Sequence, residues 1–285
     1  MDTEFFKDLE RFSLLVRKRV STAYTGSRRS VRFGHGISPV GYREYRKGDD
    51  IKLVDWKVYG RTEKLYVREH EEERSLMVHI LIDSSASMGY AGKFQFASKI
   101  AAGTAFMAVQ ENEKFSLNLF AEGIEPGAPG RGRGFLMRYI DLLDDTVPKG
   151  KTSIKKAADQ FDRLTSSTSL VVMISDFLDR PEDIESAIYR LSAHDLILIQ
   201  VLAPGEVELS LSGDVRFVDM ESGRRLVTRI SQRLKDEYRN RMKDHANSIA
   251  STSSKVNADF FQFKADMPVF DAFFELNQRA SKPRI

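Results

Sequence analysis

From residue 76 onward the chain alternates short apolar runs with longer amphipathic stretches. Residues 76–82, 169–174 and 195–202 are almost continuously apolar, the pattern of strands covered on both faces. Residues 115–120 read as a further strand. Between these runs, residues 93–110, 135–143, 153–164 and 181–191 carry apolar residues at helical spacing. The first of them is rich in alanine and offers Ile100, Ala101, Phe106, Met107 and Val109 for burial. Strand and helix in alternation predict an α/β fold: a mostly parallel sheet flanked by helices, with right-handed crossovers. Residues 121–134, dense in glycine and proline, are expected to form loop or a ragged edge strand.

The two ends are less regular. Residues 2–20 place Phe5, Phe6, Leu9, Phe12, Leu15, Val16 and Val20 at roughly helical spacing, and Arg17-Lys18-Arg19 suits a helix C-terminus. This predicts an amphipathic helix that docks on the rest of the chain or on a partner. Residues 21–48, rich in Gly, Ser and Arg, read as loop with short strands, and Gly48-Asp49-Asp50 as a turn. Residues 65–67 read as a strand. Toward the other end, residues 215–219 and 225–227 flank Glu221-Ser222-Gly223 as a hairpin. A charged helix is expected over 228–254, a strand over 258–263, and a last helix opened by Pro268. The expected organisation is a helix (1–20), a small β-rich or irregular extension (21–75) and a main α/β domain (76–285).

Composition adds exclusions. Hydrophobic content of 41% and charged content of 30% are those of a soluble globular protein. The absence of cysteine rules out disulfides, thiolate metal sites and a Cys nucleophile, and fits a reducing, cytoplasmic setting. The acidic start Met1-Asp2-Thr3-Glu4 does not read as a secretory signal, and no apolar run approaches the ~20 residues of a membrane helix. A net charge of +3 is too small to imply nucleic acid. Residues 11–61 hold thirteen Lys/Arg against four Asp/Glu, a basic face that Glu69, Glu71, Glu72 and Glu73 are placed to offset.

The candidate chemistry sits at strand ends. The run 76–82 stops at Asp83, and Ser85 and Ser87 follow at alternate positions. All three are hard oxygen donors of the kind a small divalent cation takes. The same residues also suit a turn or a helix cap. A second apolar strand ends at Ser175-Asp176, and Gly150-Lys151-Thr152-Ser153 is a glycine loop ending in hydroxyls before a helix. In a parallel sheet the C-terminal strand ends open on one edge, where ligands bind. Asp83, Ser85, Ser87, Thr152 and Asp176 are therefore expected to meet there as a Mg²⁺ or Mn²⁺ site.

This order of residues, Asp-x-Ser-x-Ser, then a threonine loop, then a strand-end aspartate, resembles von Willebrand factor A domains. Their metal-ion-dependent adhesion site uses these five positions. The resemblance implies that Asp83, Ser85 and Ser87 form the primary motif, with Thr152 direct or through water and Asp176 through water. One departure is Phe177 after Asp176, where glycine is common. Upstream, Gly41-Tyr42-Arg43-Glu44-Tyr45-Arg46-Lys47-Gly48-Asp49-Asp50, Val54-Asp55-Trp56, Gly60-Arg61 and Leu65-Tyr66-Val67-Arg68-Glu69 resemble the prokaryotic domain-of-unknown-function family 58. There such a block precedes an A-type domain, and Ser175-Asp176-Phe177 is similar to that family's strand ending. The resemblance covers about residues 25–280. It implies association with MoxR-type AAA+ ATPases, as an adaptor or substrate-recognition partner.

Three functions follow from these residues. The first is a binding module, in which Mg²⁺ (or Mn²⁺ or Ca²⁺) captures an Asp or Glu of a partner protein. The second is a metal-dependent hydrolase or phosphatase at the same acidic site. Against it, no acid stands two residues after Asp83, no His reads as a general base for the motif, and Gly150-Lys151-Thr152 is only a fragment of a nucleotide loop. The third is an adaptor whose metal site is vestigial. The Gly48-Asp49-Asp50 and Asp55-Trp56 acids are expected to pair with arginines such as Arg43, Arg46 or Arg61. His79 is expected to be a core or edge histidine.

Overall fold

The structure is a computed structural model that describes residues 5, 7, 33–46, 51, 54–71, 77–165 and 167–280. The chain divides into two compact units. One is Ser21–Ser75, and the other joins Leu76–Ile285 with Met1–Val20.

In the smaller unit, β1 (Phe33–Glu44) pairs antiparallel with β2 (Tyr66–Glu71). Register shifts fall on either side of Pro39, as a residue without an N–H requires within a ladder. Within the stretch expected as loop with short strands, 21–48, a single strand spans 33–44. Glycine and arginine gave it no strand signature, and the partner strand supplies the pairing that propensity does not reveal. Helix α1 (Trp56–Thr62) lies between the strands in sequence. Asp55 caps it, buried, accepting the N–H groups of Lys57 at 2.9 Å and Val58 at 3.3 Å. Asp49 and Asp50 lie outside the described residues.

The larger unit is built on a six-stranded sheet ordered β10-β7-β6-β3-β4-β5. Its strands are β3 (Met77–Asp83), β4 (Lys114–Phe120), β5 (Ile124–Glu125), β6 (Leu170–Ser175), β7 (Asp195–Leu202) and β10 (Asp259–Lys264). All neighbours run parallel except the short edge strand β5. Helices α2 (Lys93–Gln110), α3 (Gly132–Asp145) and α8 (Val269–Ala280) pack on one face. Helices α4 (Ile154–Leu164), α5 (Pro181–Leu191) and α7 (Gln232–Lys255) pack on the other.

Side-chain alternation explains why the strands read as continuously apolar. Val78, Ile80 and Ile82 of β3 and Val172 and Ile174 of β6 enter the first core. Leu81, Val171 and Met173 enter the second. Each such side chain, fully buried, stabilises the fold by roughly 1.5–3 kcal/mol.

The predicted elements of this unit fall close to the observed ones, with the largest shift at the start of helix α7. Helix α7 begins at Gln232, because residues up to Ile230 belong to β9 (Arg225–Ile230), paired antiparallel with β8 (Gly213–Val218). Ser231 then caps the helix through the N–H of Leu234 at 3.3 Å. Of the helix expected over 2–20, only Phe5 and Lys7 are among the described residues. Both are helical. Phe5 is buried, its ring 6.1 Å from that of Phe270. Among the described residues, no helix is long and apolar enough to cross a membrane.

Candidate metal centre

Chain order places the site. After β3 the chain moves to β4 on one side, whereas β6 leads to β7 and β10 on the other. The crevice between the C-terminal ends of β3 and β6 is therefore the switch point of the sheet, where open α/β folds bind ligands. Asp83 closes β3, and Asp176 directly follows β6.

The loops at this edge are tied together through the backbone. The Ser84 N–H donates to the Phe120 carbonyl at 2.8 Å, and the Ala86 N–H to that of Gly150 at 3.0 Å. The Lys149 N–H returns a bond to the Ser84 carbonyl at 2.8 Å, and the Ser153 N–H reaches Ala121 at 3.0 Å. Gly150 has φ +82°, a left-handed turn that sends the chain back toward β3. These bonds bring Thr152 beside Asp83.

All five expected residues meet. Asp83 is fully buried. Its Oδ1 accepts the Ser85 N–H at 2.9 Å, and its Oδ2 the Ser175 hydroxyl at 2.6 Å. The Ser85 and Ser87 hydroxyls lie 3.1 Å apart, and the Ser87 hydroxyl donates to Asp176 Oδ2 at 2.8 Å. The Thr152 hydroxyl lies 3.3 Å and 3.5 Å from the Asp83 carboxylate oxygens, long for O–H···O bonds.

The two carboxylates differ in what faces them. Among the described residues no basic side chain bonds Asp83. Burial, and then the charge of Asp176, push its pKa up to about 7 against the bonds from Ser175 and Ser85. Asp176 has a cation of its own. Lys93, completely buried at the first position of α2, donates from Nζ to Asp176 Oδ2 at 2.8 Å and to Glu206 Oε1 at 2.7 Å. Burial works against the ammonium, but the attraction of Asp176 and Glu206 and the bonds they accept outweigh it, and the lysine pKa is raised. Glu206 lies in α6 (Pro204–Val207), with its Oε2 accepting the Ala203 N–H at 2.8 Å.

Phe177 shows how the departure after Asp176 is accommodated. Its φ of +51° is in the left-handed region that favours glycine. The ring is fully buried in the second core. Its N–H donates to the Ser175 hydroxyl at 3.0 Å, and His245 Nε2 lies 2.7 Å from its carbonyl oxygen. Gln200 Nε2 donates to the Asp176 carbonyl at 2.8 Å.

The family model "Protein of unknown function DUF58" matches residues 41–248, most of the chain. The chain belongs to the DUF58 family. It is 26% identical over 274 residues to the uncharacterized protein Rv1480 of Mycobacterium tuberculosis, covering 93% of this chain and 86% of that one. An uncharacterized Mycobacterium avium protein, MAV169, is 28% identical over 126 residues, 42% of this chain and 74% of the relative. Among solved structures, the conserved hypothetical protein BatB of Bacteroides thetaiotaomicron matches at TM-score 0.47 and 16% identity, over 72% of this chain and 97% of that one. An aerotolerance-related membrane protein of Bacteroides fragilis matches at TM-score 0.48 and 17% identity, over 71% and 97%.

Sequence reasoning passed over Lys93, Glu206 and Ser175. Lys93 left one signal: a lysine opens the helix, ahead of Phe94, Phe96 and Ala97, at the end where a cation is disfavoured. Glu206, a single acid in the short helix α6, left none, and Ser175 reads in the sequence only as part of the strand ending before Asp176. Among the described residues, no group of three or more His, Cys, Asp or Glu side chains is placed to hold a metal ion. The cluster at the switch point has two carboxylates, and its other donors are hydroxyls.

Proposed function

We propose that this DUF58 protein is a non-catalytic interaction module. In this reading a divalent cation held by Asp83, Ser85, Ser87, Thr152 and Asp176 captures a carboxylate of a partner protein. The observation that carries it is the environment of Asp83: a fully buried carboxylate bonded, among the described residues, by neutral donors alone. A buried charge without a counter-charge is costly, and a bound cation reverses that cost. The donors are carboxylate and hydroxyl oxygens, a hard set suited to Mg²⁺, with Mn²⁺ or Ca²⁺ as substitutes. When bound, the ion would supply an electrophilic centre for an outside Asp or Glu. Lys93 neutralises part of the negative charge around Asp176 and keeps that centre short of electrons.

The partner proposed is a MoxR-type AAA+ ATPase or its substrate, on the family resemblance of the upstream arginine-rich block. The test is capture of a purified MoxR-type ATPase on the immobilised chain, in Mg²⁺ and in chelator. Retention in Mg²⁺ that is lost in chelator and in Asp83→Asn supports the module. Equal retention in both conditions contradicts it. Turnover of a phosphoester that vanishes in Asp83→Asn would instead make the site that of a hydrolase.

A further inference from the structure

The turn of the β8–β9 hairpin reaches the candidate centre. Glu221 Oε1 lies 3.2 Å from the Thr152 backbone nitrogen and 3.1 Å from its hydroxyl, accepting from both. That hydroxyl is 3.3 Å from Asp83 Oδ2. A third carboxylate therefore stands one hydroxyl away from the buried one. No basic side chain among the described residues bonds Glu221, and Lys93 is already engaged by Asp176 and Glu206. Like charges so placed repel.

The turn is built to hold Glu221 there. Asp219 Oδ1 accepts the N–H groups of Glu221 at 2.8 Å and Ser222 at 3.0 Å. The Asp219 carbonyl accepts the Gly223 N–H at 2.9 Å, and Gly223 adopts φ +68°. Along the rest of the hairpin Ile230 is buried and Val215 and Phe217 are half-buried. Val218 is 53% exposed, Leu226 61% and Val227 72%, so these three add little apolar burial to its seat. At the turn its seat is polar, through the contacts between Glu221 and Thr152.

We infer that Glu221 is the chain's own carboxylate ligand for the centre, resting on the metal reading above. It occupies the approach that a partner's Asp or Glu takes, and the partner binds by displacing it. The hairpin is then a gate, closed by the bound cation and opened by a competing carboxylate.

The experiment uses the full chain and Mn²⁺, comparing wild type, Glu221→Gln and Asp83→Asn by calorimetry, water-proton relaxation and hydrogen exchange. Glu221→Gln keeps the size and hydrogen-bonding of the side chain on a solvent-facing turn, so it folds as wild type. Glu221→Gln is expected to bind Mn²⁺ several-fold more weakly and to show a higher relaxivity per bound ion. Acetate should lower that relaxivity at lower concentration than in wild type. Mn²⁺ should slow exchange across residues 213–230 in wild type only. Mn²⁺ binding that depends on Asp83 but is identical in wild type and Glu221→Gln by all these measures overturns the role of Glu221 alone. No Mn²⁺ binding by wild type overturns the metal reading and this inference with it.

Discussion

Lys93 places a positive charge at the end of a helix where the macrodipole disfavours it, and does so with no exposure to water. The carboxylates of Asp176 and Glu206 make that tenable. Lys93→Met keeps the volume but leaves two carboxylates without their cation. Breaking a buried ion pair from one side costs about 3–5 kcal/mol. Urea unfolding in chelator is expected to show a loss of that order, and a loss below about 1 kcal/mol would show that the triad is not what holds this edge. Phe177 poses a different balance. Glycine there relieves a left-handed residue, worth about 1–2 kcal/mol, but empties a buried aromatic site, which costs about 3–5 kcal/mol. Burial wins, so Phe177→Gly is expected to be net destabilising by roughly 2–3 kcal/mol in the same assay. A variant as stable as wild type would mean that the ring contributes little. The five donors were legible because strand-end carboxylates and alternate serines are local patterns. Lys93, Glu206 and Glu221 are single charges whose meaning exists only once three separate segments have packed.

At the scale of elements, α2 and α8 approach through a glycine. A Cβ on Gly103 would lie 2.0 Å from Cζ of Phe273. Alanine is the better helix former by about 1 kcal/mol, yet overpacking a core costs about 1–3 kcal/mol. Gly103→Ala is therefore expected to lower the melting temperature, and a rise would mean that α8 moves aside freely. Strand β3 carries its own pH signature. His79 Nδ1 lies 2.8 Å from the Ser116 hydroxyl, and its ring is 4.9 Å from that of Phe161. Burial first, and then His194, hold its pKa down at about 4. The fold keeps this histidine neutral, whereas the unfolded chain protonates it near pH 6.5. Its contribution is complete above that value and is lost as the pH falls through 6.5 toward about 4. Wild type should lose more urea resistance between pH 7 and pH 5 than His79→Gln, and equal losses would show that His79 does not titrate this way. The strands and helices of the main unit were readable because burial on two faces leaves an unbroken apolar run. β1 was readable only as short strands within loop, because its pairing with β2, and not its composition, makes it one long strand.

For the whole molecule, the order of the elements settles the architecture. An alternating chain with its switch point between β3 and β6 brings Asp83 and Asp176 to neighbouring strand ends, and the glycine loop at 150 carries Thr152 to them. With Asp83 ionised, the acids Asp83, Asp176, Glu206 and Glu221 gather at this edge, and the Lys93 ammonium meets two of them, an excess of negative charge that a divalent cation would balance. The central claim is that the five oxygen donors hold such an ion. It is tested most directly by calorimetric titration of Mg²⁺ into chelator-stripped wild type and Asp83→Asn, both shown to be folded by circular dichroism. Asparagine still offers an oxygen to the Ser85 N–H, so the loop keeps that bond while the charge is lost. The expected result is a saturable one-site heat in wild type that Asp83→Asn abolishes. Equal heats in both proteins, or no heat from wild type with Mg²⁺, Mn²⁺ or Ca²⁺, would contradict the account.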